Sequence, residues 1–314
     1  MALGIDNLLV GSFTDHENQT GCTVVLPPAG TVGGMAVRGG APGTREAAAL
    51  GPNGTVSECH AVVLCGSSLF GLAAADGVVA WCVDQGRGLE LAAGRFPIVG
   101  AAVVLDLTDP SARRIDREAG FAACRSATSQ EPAMGSVGVG TGCTVGKEAG
   151  REFAMKGGQG WAVKTHGSLS VGALMAVNAL GSVYGEDGRL LAGCTAPDGV
   201  PRFPFTARPP LGAGALANTV IGCIATNARL DKAQACRVAD LAHTGVARSV
   251  SPAHTSFDGD ALFTLATGEV SVSLDLVAYL AAETVAAAVR AGVWAAEALP
   301  GRPVDSHPDV EETP

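Results

Sequence analysis

Short apolar runs separated by glycine turns fill the first two thirds of the chain, and residues 22–26, 61–64, 99–107, 136–139 and 170–178 read as strands. Between them, residues 69–81 carry the apolar spacing of a helix, entered from the run 61–64 through the turn Gly66-Ser67-Ser68. The pattern then breaks. Pro197, Pro201, Pro204, Pro209 and Pro210 precede the small-residue run Gly212-Ala213-Gly214-Ala215, so 197–218 is expected to be a mobile loop. Residues 219–227 follow at once as a strongly apolar, β-branched strand, and 232–242 as a helix. A strand at 262–266 and a long alanine-rich helix at 276–298, stopped by Pro300, complete the pattern. The acidic, proline-bearing tail 301–314 is expected to fray.

Strands alternating with helices point to an α/β layered protein. Composition sharpens this: 43 glycines with 4% aromatic residues imply small side chains packed closely between layers. At 47% hydrophobic over 314 residues the chain can fill a large core, and with no convincing internal repeat it is read as a single compact unit, 1–314.

Charge and cysteine usage remove several function classes. The net charge is −9 and the four lysines (Lys147, Lys156, Lys164, Lys232) form no basic stripe, so no nucleic-acid partner is expected. The nine cysteines are odd in number, widely spaced and set in apolar or glycine-rich runs, as reduced core residues are. With no secretory pattern at the N-terminus and no apolar run of about 18 residues, a cytoplasmic protein without a membrane partner is expected. The six histidines show no metal-ligand spacing, so no metal or other cofactor is expected, and His254 reads as a hydrogen-bonded loop residue.

Four features carry candidate chemistry. Asn218-Thr219 places a hydroxyl at the start of a strand, directly after the proline-rich loop. If the bond before Thr219 is cut, one residue holds both a nucleophilic hydroxyl and an α-amine whose pKa near ~8 suits it as the base. The cut can use the same hydroxyl, through an N-to-O acyl shift and hydrolysis of the ester. The dipeptide by itself reads as a turn followed by a strand residue. Asp258-Gly259-Asp260 can converge two carboxylates on one centre, or form a plain hairpin turn with both acids in solvent. The glycine-rich run 138–147 fails the spacing of both a P-loop and a dinucleotide fingerprint. It can instead present Lys147 to an oxyanion, or leave it solvated. Asn178 interrupts an apolar strand, and its amide must find either backbone partners or a reacting carbonyl.

Taken together, Asn218-Thr219-Val220-Ile221-Gly222, Ala225-Thr226-Asn227-Ala228, Lys232-Ala233-Gln234, Pro252-Ala253-His254-Thr255, Asp258-Gly259-Asp260 and Leu265-Ala266-Thr267-Gly268 resemble the L-aminopeptidase/D-esterase family, which includes β-peptidyl aminopeptidases and nylon-oligomer (6-aminohexanoate-oligomer) endohydrolases. The resemblance extends to Thr23-Val24-Val25-Leu26-Pro27, the run from Arg38 to Glu46, the run from Gly71 to Gly77, and Pro97-Ile98-Val99. It implies an αββα-type sandwich of the N-terminal-nucleophile kind that cuts itself into 1–218 and 219–314, the latter holding 314 − 218 = 96 residues. The two pieces would stay together in a homo-oligomer, a tetramer of processed pairs. It further implies Thr219 as nucleophile, Asp258 and Asp260 beside it, Lys147 from the Thr-Val-Gly-Lys motif, and Asn178 as oxyanion donor.

The implied activity is hydrolysis of a small peptide or ω-amino-acid amide, with endo-acting nylon-oligomer hydrolysis as one alternative. Acyl transfer of the ornithine-acetyltransferase kind, which also uses a self-generated N-terminal threonine, is another. Two departures bear on substrate. Leu105 stands where the nylon-oligomer branch has a tyrosine, and Thr219 stands where the better-studied aminopeptidases have serine.

Overall fold

A computed structural model describes residues 3–107, 109–206 and 218–296. Ten strands make two five-stranded sheets. β1 (Leu9–Asp15), β2 (Thr20–Leu26), β4 (Thr44–Arg45), β5 (Ala61–Cys65) and β6 (Val99–Val103) form one, in the order β1-β2-β5-β6-β4. β3 (Val32–Val37), β7 (Gly158–His166), β8 (Leu169–Asn178), β9 (Thr219–Ala228) and β10 (Ala261–Val270) form the other, in the order β7-β8-β9-β10-β3. Helices α1 (Ala74–Asp84) and α2 (Arg117–Arg125) cover the first sheet, while α3 (Lys232–Ser249) and α4 (Leu274–Trp294) cover the second.

The core is layered accordingly. Leu64, Ala102, Leu174, Ile221 and Phe263 pack between the sheets. Val24 and Val63 cluster with Val78 of α1 and Ala119 of α2, and Met175 and Ile224 with Val246 of α3 and Val285 and Val289 of α4. This is the αββα sandwich that the resemblance implies. All ten residues of β8 and all ten of β9 are buried, because one face of each strand meets the opposite sheet and the other meets the helices. Helix α3 starts at a capping box, Asp231 accepting from the Gln234 N–H while the Gln234 side chain returns to the Asp231 N–H. Helix α4 is long and apolar enough to cross a membrane, but 67% of its most apolar window is buried inside the protein.

Several elements differ from the sequence expectation. Residues 136–139 form no strand; a 3₁₀ turn occupies Gly138–Gly140, and Thr141 Oγ1 donates back to the Gly138 carbonyl. The strand expected at 99–107 ends at Val103, where Val104 N–H turns to the Cys65 carbonyl. The helix expected at 69–81 begins as a 3₁₀ segment, Ser68–Ala73, after Ser67 and Ser68 take left-handed φ of 64° and 53°. Strands β1, β3, β4 and β7 lie outside the expected runs. Helix α3 runs seven residues past 242, to Ser249, and β10 runs on to Val270. The mobility expected of the loop falls partly on 207–217, and that of the tail on 301–314, both outside the described residues. All nine cysteines are buried, and none is in a disulfide among the described residues. Burial pushes the Cys82 thiol up to about 11.

Candidate active site

Strand direction assembles the site. β9 and β10 are parallel neighbours joined through α3, so their N-terminal ends lie at the same edge of the sheet. β8 runs antiparallel to β9 and brings its C-terminal end there, with Asn178 directly opposite Thr219. Side-chain alternation then aims Asn178 and Thr219 at the same face as Ala176 and Ile221, toward the opposite sheet. The loop before β10 carries Asp258 and Asp260 to the same edge, and Asn218 forms a parallel bridge with Asp258.

Thr219 is buried, and its hydroxyl donates to the carbonyl oxygen of Asn218, the residue before it. That carbonyl also accepts the Gly259 N–H at 2.9 Å. A side chain at Gly259 would crowd the nucleophile candidate, since a Cβ there would lie 2.9 Å from Thr219 Oγ1. The Asp-Gly-Asp loop is therefore not a solvated hairpin turn: Asp258 is 2% and Asp260 0% exposed. Its backbone is bound by the segment after β3, with Arg38 N–H and Gly39 N–H on the Asp260 carbonyl and Ala41 N–H on the Asp258 carbonyl.

Each carboxylate has defined partners. Asp260 Oδ1 accepts the Val220 N–H at 2.6 Å, and its Oδ2 accepts from His254. Asp258 Oδ2 accepts from both the backbone N–H and the hydroxyl of Thr255, and Oδ1 accepts the Leu180 N–H at 3.4 Å. Burial, and then repulsion from Asp260, push the Asp258 carboxyl up to about 6.

Lys147 is not solvated either; it is 1% exposed. Its backbone pairs beside the end of β8, Lys147 N–H donating to the Leu180 carbonyl at 2.7 Å. Its Nζ donates to the Asn178 backbone carbonyl at 2.9 Å and to Asn178 Oδ1 at 3.1 Å. Asn178 Oδ1 also accepts the Thr144 N–H at 3.0 Å, and Asn178 Nδ2 donates to the Leu105 carbonyl at 3.2 Å. The five residues singled out from the sequence, Thr219, Asp258, Asp260, Lys147 and Asn178, therefore meet at one sheet edge.

Sequence reasoning missed two contributors, the Gly259 N–H on the Asn218 carbonyl and the Leu105 carbonyl under Asn178; it gave His254 as a hydrogen-bonded loop residue, which it is, without its partner. The histidine stood in the string Pro252-Ala253-His254-Thr255, but nothing in its spacing tied it to Asp260. Glu148, next to Lys147, is also buried; its Oε1 accepts from Ser182 Oγ at 2.8 Å, and burial raises its pKa. No cluster of three or more His, Cys, Asp or Glu residues suited to a metal ion occurs among the described residues.

Behind the site, His243 Nε2 faces the Ala36 carbonyl at 3.3 Å, while its Nδ1 is buried with no partner. Burial and then the neighbouring His254 lower its pKa from 6.5 to about 4. The unfolded chain therefore binds the extra proton between pH 6.5 and 4, and the folded chain loses stability as pH falls through that window, by about 3 kcal/mol for this group. Asp258, with a raised pKa, opposes this over much of the same range. The difference between the parent chain and His243→Gln isolates the histidine: equilibrium unfolding at pH 7 and pH 4 should show the parent losing about 3 kcal/mol more than the variant.

The two-sheet sandwich with helices on both outer faces is the Ntn hydrolase fold. The solved structures agree on the fold. A β-aminopeptidase from Burkholderia sp. superposes with a TM-score of 0.70 at 21% identity, covering 94% of this chain and 86% of its own. The L-aminopeptidase D-Ala-esterase/amidase of Ochrobactrum anthropi, described as a variant of the Ntn hydrolase fold, gives 0.69 at 22% identity, with the same coverage.

The chain belongs to peptidase family S58, whose model matches residues 4–306. It is thus a hydrolase of amide bonds. A Mycobacterium bovis protein named as an uncharacterized aminopeptidase is 41% identical over 313 residues, covering 90% of this chain and 88% of the relative. A 6-aminohexanoate-oligomer endohydrolase of Kocuria sp. is 31% identical over 275 residues, covering 84% and 74%.

Proposed function

We propose that this hydrolase activates itself by cutting between Asn218 and Thr219, and that Thr219 is then its N-terminal nucleophile. The observation that carries the reading is the Thr219 hydroxyl lying against the Asn218 carbonyl, which the Gly259 N–H already polarises. Attack of Oγ1 on the Asn218 carbonyl carbon forms a C–O bond and breaks the C–N bond, giving an ester and a free α-amine. Water hydrolyses the ester and leaves Thr219 as a new N-terminus.

In turnover the α-amine takes the Oγ1 proton as Oγ1 attacks a substrate carbonyl, and the proton passes to the leaving amine. The oxyanion that forms is met by the Lys147–Asn178 pair, positioned across the strand from Thr219. The acyl ester on Thr219 is then released by water. Asp260, bonded to the Val220 N–H, fixes the peptide next to the nucleophile, and Asp258 holds a proton close by at mildly acidic pH.

The substrate read from the family is a small peptide or an ω-amino-acid amide. The Kocuria relative favours endo-acting hydrolysis of 6-aminohexanoate oligomers as a second reading. Assays of amino-acid p-nitroanilides beside 6-aminohexanoate oligomers separate the two. We expect hydrolysis of the p-nitroanilides; activity confined to the oligomers would establish the second reading, and none on either class would count against both. A cytoplasmic location fits nine cysteines that form no disulfide among the described residues. Assembly as a homo-oligomer of processed pairs completes the proposal.

A further inference from the structure

His254 sits in the left-handed region at φ 56°, a conformation that turns its backbone N–H and its ring toward the same carboxylate. Asp260 Oδ2 accepts the His254 N–H at 3.1 Å and His254 Nδ1 at 2.7 Å, while Oδ1 holds the Val220 N–H, the first backbone donor after Thr219. The other ring nitrogen, Nε2, faces the His243 carbonyl oxygen at 3.3 Å. Both nitrogens thus face acceptors. A neutral imidazole donates from one nitrogen, whereas the imidazolium donates from both.

The charged surroundings favour the same form. Asp258 and Asp260 face the ring from its own loop. From α3 comes His243, edge-on at 4.9 Å, and beyond it Arg38, which is paired with Asp240. Burial works against a charge on His254, but the hydrogen bond and charge of Asp260 outweigh it, and its pKa lies above the ordinary 6.5. The paired His243 is pushed the opposite way and stays neutral.

We propose that His254 is a positioning residue for Thr219: as an imidazolium it clamps one oxygen of Asp260 from ring and backbone together, so that the other oxygen stays on the Val220 N–H and the start of β9 keeps a single orientation. This rests on Thr219 as the nucleophile. The clamp is complete while the imidazolium persists and weakens as pH rises through the raised pKa of His254.

Two substitutions isolate the ring's contribution. His254→Gly accepts the left-handed backbone and keeps its N–H but has no side-chain donor; His254→Asn tolerates that backbone and keeps a nitrogen donor near the position of Nδ1. With rates expressed per processed molecule, His254→Gly should lose about 10²-fold in kcat with KM little changed. His254→Asn should recover most of that loss. Equal rates in the two variants, or a loss confined to KM, would overturn the proposal. In the unaltered protein, long-range ¹H–¹⁵N spectra should show both His254 ring nitrogens protonated at pH 6.5, whereas a neutral Nε2–H tautomer there would overturn it without any variant. Fragment analysis of the parent chain keeps the two questions apart: an uncut, active parent contradicts the nucleophile reading, and the spectrum still decides the state of His254.

Discussion

Thr219→Ala is expected to leave the chain in one piece and to lower kcat/KM by about 10⁶-fold, the scale of losing a covalent nucleophile. The two losses share one cause. The hydroxyl that lies on the Asn218 carbonyl in the intact chain is the atom proposed to attack substrate once the α-amine is free. Alanine keeps the methyl-sized Cβ and the strand pairing of Thr219 with Asn178, so the variant should fold. Thr219→Ser keeps the hydroxyl and should retain both processing and turnover, more slowly, because serine lacks the β-branch that restricts the rotamer. Denaturing electrophoresis and steady-state assays on the same preparations read both effects.

The second large effect belongs to Lys147 and Asn178, the pair proposed to meet the oxyanion. Lys147→Met keeps the length of the side chain and removes its charge, and Asn178→Ala removes the amide facing Thr219. Each should lower kcat by about 10²–10³-fold. Because Lys147 Nζ donates to Asn178 Oδ1, the two act as one network, and the double variant should lose less than the product of the single losses. Single-turnover acylation rates are the clean measure, since they exclude product release. A double loss equal to the product would mean that the two residues act independently.

Much of the second sheet was legible in the sequence, and the reason is burial. β8 and β9 are covered on both faces, so they read as continuous apolar runs. β1 and β7 did not, because they are the outer strands of their sheets and carry polar, incompletely buried residues such as Thr14 and Asp15, or Lys164 and His166. The 3₁₀ entry at Ser68 was hidden for another reason: left-handed serines leave no mark in a hydrophobic pattern.

The site was legible as residue types but not as geometry. Asp-Gly-Asp is the composition of a turn, and its burial depends on the strand after residue 31 and the Arg38–Ala41 segment, more than two hundred positions away. Lys147 lies in a run that looks like solvated loop, yet its backbone pairs beside β8. The family resemblance brought these residues together; parallel pairing of β9 with β10 and antiparallel pairing with β8 explains why they meet. His254 was legible as a hydrogen-bonded loop residue but its partner was not, because Asp260, six residues on, is reached through a left-handed backbone.

The central claim is the cut before Thr219, and intact-mass analysis of the purified full-length chain under denaturing conditions, with N-terminal sequencing, tests it most directly. The account predicts two polypeptides, one of them beginning Thr219-Val220-Ile221-Gly222. A single uncut chain that hydrolyses amide substrates at an undiminished rate would contradict it.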